Sequence, residues 1–227
     1  MTAFFRFPHT PHLLWLGSKP PREDKVLAQD EVRSFLSSTV VIEEKVDGAN
    51  LGISLNDEGT LVAQNRGSFV EITNAGGQWK PLQRWLTERR FALLDHLTPD
   101  LILFGEWCYA RHSIAYDRLP DWYLGFDIYE RSSGRFWSVA RRNELLEQMG
   151  VSTAPLVAKG RFGLNELQGM MSHSKLTNGP AEGIYVRRDD GDYLVERAKV
   201  VQPGFVQAID EHWSRRAIEA NGLTSGY

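Results

Sequence analysis

The sequence predicts a single α+β domain in which antiparallel sheets are flanked by helices. Three observations carry that expectation. Several short runs alternate apolar and polar residues with a period of two and are bounded by Gly, Asn, Asp or Pro, the pattern of strands in hairpins. Between them lie amphipathic stretches with helical spacing. Neither repeats nor a low-complexity linker divides the 227 residues, so 1–227 reads as one unit, with a core large enough to fold unaided.

Composition narrows the class. A hydrophobic content of 42% with 24% charged residues is that of an ordinary soluble protein. No apolar run approaches the roughly 18 residues of a membrane span, and the start, Met1 to Arg6, lacks the basic-then-apolar plan of a signal peptide. The expectation is a cytoplasmic protein with no membrane contact. Cys108, the single cysteine, excludes an internal disulfide and reads as a buried, inert thiol. The six histidines lack zinc-type clustering. A net charge of −3 argues against indiscriminate coating of nucleic acid, which needs many phosphate contacts. A local basic groove remains open, with Arg131, Arg135, Arg141, Arg142, Arg187, Arg188, Arg215 and Arg216 either forming it or lying on solvated faces.

In chain order, Pro8, Pro11, Pro20 and Pro21 make residues 1–22 extended and irregular. Residues 24–36 form a short helix with Val26, Leu27, Val32, Phe35 and Leu36 available to a core. Strands follow over 39–42 and 51–55, then the turn Asn56-Asp57-Glu58-Gly59 and a returning strand over 60–64 that ends near Arg66. One amphipathic helix covers 79–97 and stops before Pro99. Two nearly continuous apolar strands, 101–107 and 122–129, each carry one acid, Glu106 and Asp127. A lone acid in a buried strand either pairs with a cation or faces a site. Ser138 is placed to cap a helix that runs to Met149 and stops at Gly150. A shorter helix covers 164–173, strands cover 181–187 and 193–200 around a turn at 189–192, and a helix over 204–220 closes the chain. Alternation puts Val195, Arg197 and Lys199 on one face of the last strand.

Lys45 stands where the first strand breaks, followed by Val46-Asp47-Gly48. A lysine held at a strand turn, beside a glycine that lets a ligand approach the backbone, can serve as a nucleophile. The tetrapeptide alone more often marks a solvated hairpin turn, so the reading rests on what accompanies it.

What accompanies it is an ordered set. Lys45-Val46-Asp47-Gly48, Arg66, Phe104-Gly105-Glu106-Trp107, Phe126-Asp127-Ile128-Tyr129, Glu182-Gly183-Ile184-Tyr185-Val186 and Arg197-Ala198-Lys199 follow in the order and spacing of the motifs of the covalent nucleotidyltransferase superfamily. The resemblance spans about 40–201. Phe-Gly-Glu-Trp, Phe-Asp-Ile-Tyr and Thr10-Pro11-His12-Leu13 resemble in particular the RNA ligase 2-like, ATP-dependent RNA ligase branch. The fold this implies is a nucleotidyltransferase (adenylyltransferase, ATP-grasp-like) domain.

The resemblance implies that Lys45 attacks the α-phosphorus of ATP, forms a lysyl-adenylate and releases pyrophosphate. AMP then passes to an RNA 5′-phosphate, and a 3′-hydroxyl displaces it, in RNA repair. A free lysine, with a pKa of about 10.4, must be held neutral to attack; nearby cations favour this and a close carboxylate opposes it. Lys199 and Arg197 would hold charge on the phosphate oxygens. Phe126 would stack on adenine, Glu44 would read its amino group, Glu106 would accept from the ribose, and Arg66 would lie near the sugar or the incoming 5′-phosphate. Glu182 would position Mg2+.

Two departures stand out. Arg197 occupies a place where lysine is common in the superfamily, which keeps the charge but changes its geometry. Only residues 200–227 follow Lys199, leaving room for a short helical tail and no OB-fold. An end-healing kinase or phosphatase partner would then complete the grip on RNA. The alternatives are a minimal DNA ligase, a capping guanylyltransferase, or a scaffold that binds nucleic-acid ends without chemistry.

Overall fold

The computed structural model describes residues 3–18, 25–208 and 218–224. Among them eleven strands form two sheets. The first sheet runs in the order β1 (His12–Leu14), β11 (Tyr193–Val201), β10 (Gly183–Asp190), β2 (Val40–Lys45) and β9 (Leu156–Gly160). The second runs β5 (Phe69–Val70), β4 (Leu61–Gln64), β3 (Ala49–Leu55), β6 (Leu101–Trp107), β7 (Tyr123–Glu130) and β8 (Arg135–Phe136). All neighbours are antiparallel except β1 and β11.

Alternation decides what each face meets. In the first sheet Ile42, Ile184, Val186, Ala198 and Val200 point to a core closed by Val32 and Phe35 of α1 (Gln29–Leu36) and Leu167 of α5 (Leu164–Gly169). In the second, Leu51, Ile53, Leu103 and Trp107 meet Leu82 and Trp85 of α2 (Leu82–Glu88), Leu93 of α3 (Arg90–His96) and Leu146 of α4 (Val139–Gln148). Each fully buried Val, Leu, Ile or Phe among them contributes about 1.5–3 kcal/mol. The remaining faces turn toward each other. Phe7, Ile102, Phe104 and Phe126 fill part of the gap, and ion pairs cross the rest.

Several expected elements have other bounds. The single helix over 79–97 is a 3₁₀ turn at Gly77–Trp79 followed by α2 and α3, because the chain leaves helical geometry at Arg89 (φ −107°, ψ 6°). Its guanidinium bonds Asp121 at 2.7 Å and covers the Trp85 ring. The apolar period hides this break because both halves address one core. The helix over 24–36 begins only at Gln29, since residues 25–27 lie alongside β1: His12 donates to the Lys25 carbonyl and Leu27 to that of His12. Its start is closed by Glu31, which accepts from the Ala28 amide at 2.7 Å. Residues 164–173 are helical only as α5. α6 (Pro203–Ala208) covers the start of the expected 204–220 helix. Residues 209–217 lie outside the described residues, and 218–220 are not helical but pair with the loop after β6. The helix over 138–149 holds as read: Ser138 caps α4, and Gly150 ends it with φ 63°.

Candidate active site

β2 and β3 do not pair with each other. The chain leaves the first sheet after Lys45 and enters the second at Ala49, crossing the gap on Val46, Asp47 and Gly48. This turn is packed and not a solvated hairpin. Val46 is buried beside Cys108, Ile114 and Tyr116. Asp47 accepts from the amides of Ser113 (2.6 Å) and Ile114 (2.9 Å), and its own amide donates to the Tyr116 hydroxyl at 2.8 Å. At Gly48 a Cβ would stand 2.7 Å from the Trp107 carbonyl oxygen, so no side chain fits.

Lys45 lies on the face of the first sheet that looks across the gap. Its Nζ donates to both carboxylate oxygens of Glu182 at 2.6 Å, and the Tyr185 ring centroid is 6.0 Å away. Burial alone would push the ammonium down. Glu182, with Tyr185 and Glu106, more than offsets this and holds Lys45 above the usual lysine range. Lys45 in this arrangement is therefore a charged ammonium clamped by a carboxylate. Lys199 shares the face, opposite Tyr185 in the ladder, and acts electrostatically on Glu182.

Glu106 enters from the second sheet, opposite Asn50 on β3. Burial pushes its carboxyl up to about 8, with Lys45 opposing and Glu182 adding to the shift. Arg66, exposed after β4, also acts on Glu106. Asn50 has a buried carbonyl oxygen that accepts no hydrogen bond within the protein. Phe126 lies nearby, 7% exposed, with Phe7 edge-on at 5.4 Å. It is the extra residue of a bulge: Phe104 pairs with Asp127 and Gly105 with Gly125, leaving Phe126 unmatched.

Behind these groups runs a chain of buried charges. Arg142 of α4 donates to both oxygens of Glu43 (3.1 and 2.5 Å), whose carboxylate lies 3.7 Å from Arg187. Arg187 donates to Asp127 at 2.7 Å, and the other oxygen of Asp127 accepts from Arg197. Arg142 and Arg187 also donate to the Phe126 carbonyl exposed by the bulge. Arg197 is sandwiched between the Phe7 and Phe136 rings, 4.4 Å from each.

The structure thus brings Lys45, Glu106, Glu182, Lys199 and Arg66 around one gap. Arg197 stands deeper, paired with Asp127. Glu44 points to the opposite face from Lys45 and is 1% exposed, accepting from the Ser174 hydroxyl (2.5 Å) and the Lys175 amide (2.8 Å). Arg142 and Arg187 are buried in ion pairs and so are not part of a surface groove, while Arg215 and Arg216 lie outside the described residues. Among the described residues no cluster of three or more His, Cys, Asp or Glu is poised to hold a metal. The donor set still suits magnesium, which commonly takes one or two carboxylates plus substrate phosphates: Glu182, Glu106 and Asp47 repel one another electrostatically in a site that a hard cation would relieve.

Residues 38–201 match the family model described as RNA ligase, more than half of the chain. The chain belongs to the RNA ligase family. None of the curated proteins compared matches it. Among solved structures, this RNA ligase family member is similar to Naegleria gruberi RNA ligase with PPi, at 19% identity and a TM-score of 0.62, over 94% of this chain and 65% of that one. A mutant of the same protein with ATP and Mn gives 18% and 0.61, over 78% and 54%. Another, with AMP and Mn, gives 18% and 0.63, over 90% and 64%. The chain therefore spans between about half and two thirds of the length of these relatives. At such identities the likeness is one of fold.

In this family member Asn50 and the residues that fix the nucleophile's turn, Tyr116 among them, join the expected residues, and Tyr185, which stands in the motif 182–186 with no role assigned to it, faces Lys45. For Asn50 a signal existed. It lies an odd number of positions from Leu51, Ile53 and Leu55, which places it on the face opposite theirs.

Proposed function

We propose that the chain is an ATP-dependent RNA ligase that works through a lysyl-AMP intermediate. The observation that carries this is the placement of Lys45, at the end of β2, against Glu182 and across the gap from Glu106 and Lys199, within the segment that defines the family. That neighbouring folds hold ATP, AMP and PPi with their ligase fits the same reading.

In this proposal the Lys45 ammonium gives up its contact with Glu182 and passes a proton to solvent water before its lone pair attacks. The new bond joins Nζ to the α-phosphorus, and the bond to the β-phosphate bridging oxygen breaks, releasing pyrophosphate. Lys199 meets the charge that gathers on the α-phosphate oxygens. Arg197, held by Asp127 and two rings, supplies a fixed positive field behind them. Glu106, protonated near neutral pH, can donate to or accept from a ribose hydroxyl. Phe126 and Tyr185 offer the apolar wall for the base, and Glu44 braces the 174–176 segment beside it. Magnesium, when bound, supplies a hard cation for Glu182 and the phosphates. AMP then moves from Lys45 to an RNA 5′-phosphate, and a 3′-hydroxyl displaces it to seal the strand in RNA repair. Arg66, exposed at the mouth, suits the incoming phosphate.

The test is covalent labelling. The purified chain, incubated with α-labelled ATP and magnesium and then denatured, is expected to retain label, and Lys45→Ala to retain none while folding normally. A wild-type chain that takes no label and is free of bound AMP by mass spectrometry refutes the proposal. So does a labelled Lys45→Ala.

A further inference from the structure

The 108–119 loop does more than cover the nucleophile's turn, because it is itself held from the far end of the chain. Asn221 is 6% exposed and uses both ends of its amide there. Its Oδ1 accepts from the Tyr116 amide at 2.9 Å, and its Nδ2 donates to the carbonyls of Cys108 (2.8 Å) and Ala110 (3.3 Å). Its own amide donates to Tyr109 at 2.9 Å. On either side the pairing continues. Arg111 donates to Glu219, Gly222 to Tyr116, Leu119 to Gly222 and Thr224 to Leu119, all between 2.7 and 3.1 Å.

The loop fastened in this way supplies the three bonds that fix Asp47: two amides on its carboxylate and the Tyr116 hydroxyl on its amide. Asp47 is two residues from Lys45 and joins the two sheets. A loop that gains freedom lets the turn move, and the amine moves with it. We infer that Asn221 is a positioning residue for the nucleophile, and that 218–224 is an internal strap which sets the turn carrying Lys45 through Tyr116, Ser113 and Ile114. The inference rests on the proposed role of Lys45. It assigns the strap to the first chemical step and not to nucleotide binding, because its hydrogen bonds go to residues 108–119 beside the turn, whereas Glu106, Lys199 and Tyr185 are held in place by the sheet ladders.

The experiment compares the 227-residue chain with Asn221→Ala and Tyr116→Phe, with Glu219→Ala as a control whose side chain makes an exposed pair with Arg111. Two readouts are taken. Single-turnover formation of lysyl-AMP is expected to slow roughly 10- to 100-fold in Asn221→Ala and Tyr116→Phe, as for a reacting group displaced by about 1 Å. The ATP concentration for half-maximal rate should stay within about twofold. Hydrogen exchange should rise in 46–48 and 113–116 in Asn221→Ala, and in 46–48 in Tyr116→Phe, where the tail remains bound. Glu219→Ala should match the wild type in both. Unchanged exchange over 46–48 in Asn221→Ala overturns the strap, whether or not the wild type takes label. An unchanged labelling rate, or a loss shared equally between rate and ATP concentration dependence, overturns its role in positioning. If no variant and no wild type takes label, the proposed activity fails by itself, and the exchange measurement alone decides the strap.

Discussion

Replacing Asp127 with alanine removes the carboxylate that Arg187 and Arg197 share from a site where it is 1% exposed. Arg197, pressed between two rings, then loses the carboxylate it bonds, and Arg187, 2% exposed, is left with Glu43 at 3.7 Å and the Phe126 carbonyl. Removing one member of a buried, hydrogen-bonded ion pair costs about 3–5 kcal/mol, chiefly because its partner stays buried and uncompensated. The middle of that range applies here, since Arg197 loses the carboxylate it bonds while Arg187 keeps Glu43 and the Phe126 carbonyl. For a domain of this size the expected fall in Tm is on the order of 10 °C. Urea denaturation is the assay: the midpoint should drop with an unchanged slope. Asp127→Asn, which keeps the shape and one acceptor, should lose less. A loss below about 1 kcal/mol for the alanine variant would refute the view that this ladder holds the sheets together.

Two further outcomes follow from neighbouring groups. Glu106 ionises at about 8 in the fold against 4.5 ordinarily. Below the lower value both folded and unfolded forms are protonated; between the two the unfolded chain ionises first, so stability falls as pH rises and levels off above about 8. Glu106→Gln, measured without nucleotide, should flatten that fall by a few kcal/mol at most, roughly, and matching slopes in the two proteins would count against it. Gly183 leaves no space: a Cβ would lie 2.2 Å from the Val200 carbonyl oxygen. Gly183→Ala should therefore destabilise by about 1–3 kcal/mol and loosen Glu182 beside it, seen as weaker labelling at limiting magnesium; an unaltered midpoint would contradict the packing.

Local pattern revealed what depends on local pattern. Strand alternation is imposed by the pleat, so β3, β4, β6, β7, β10 and β11 were readable to within a few residues, and with them the faces that carry Glu106 and Lys199. Lys45, Arg66, Glu106, Glu182 and Lys199 were legible as an ordered set, and the fold brings them to one gap. What escaped is set by partners far apart in sequence. Arg142 meets Glu43 across 99 positions, and Asn221 meets Cys108 across 113, so neither leaves a trace in periodicity. The resemblance implies an adenine contact for Glu44, but its hydrogen bonds to Ser174 and Lys175, 130 and 131 positions away, leave no trace in the strand pattern. The break at Arg89 was invisible because apolar spacing continued through it.

The crossing at Lys45 also limits how this molecule can move. Three residues link the sheets there, and three residues reach at most about 10 Å when fully drawn out. The two sheets resemble covers bound along a spine, with the lysine at the binding and the Asp127 ladder as a clasp four rungs away, where Arg187 lies opposite Val41. The far end is tied as well, where the Ser138 amide donates to the Asp192 carbonyl and Trp137 bridges Tyr193. Bound at both ends, the covers hold the amine at a fixed depth in the gap, across from Glu106.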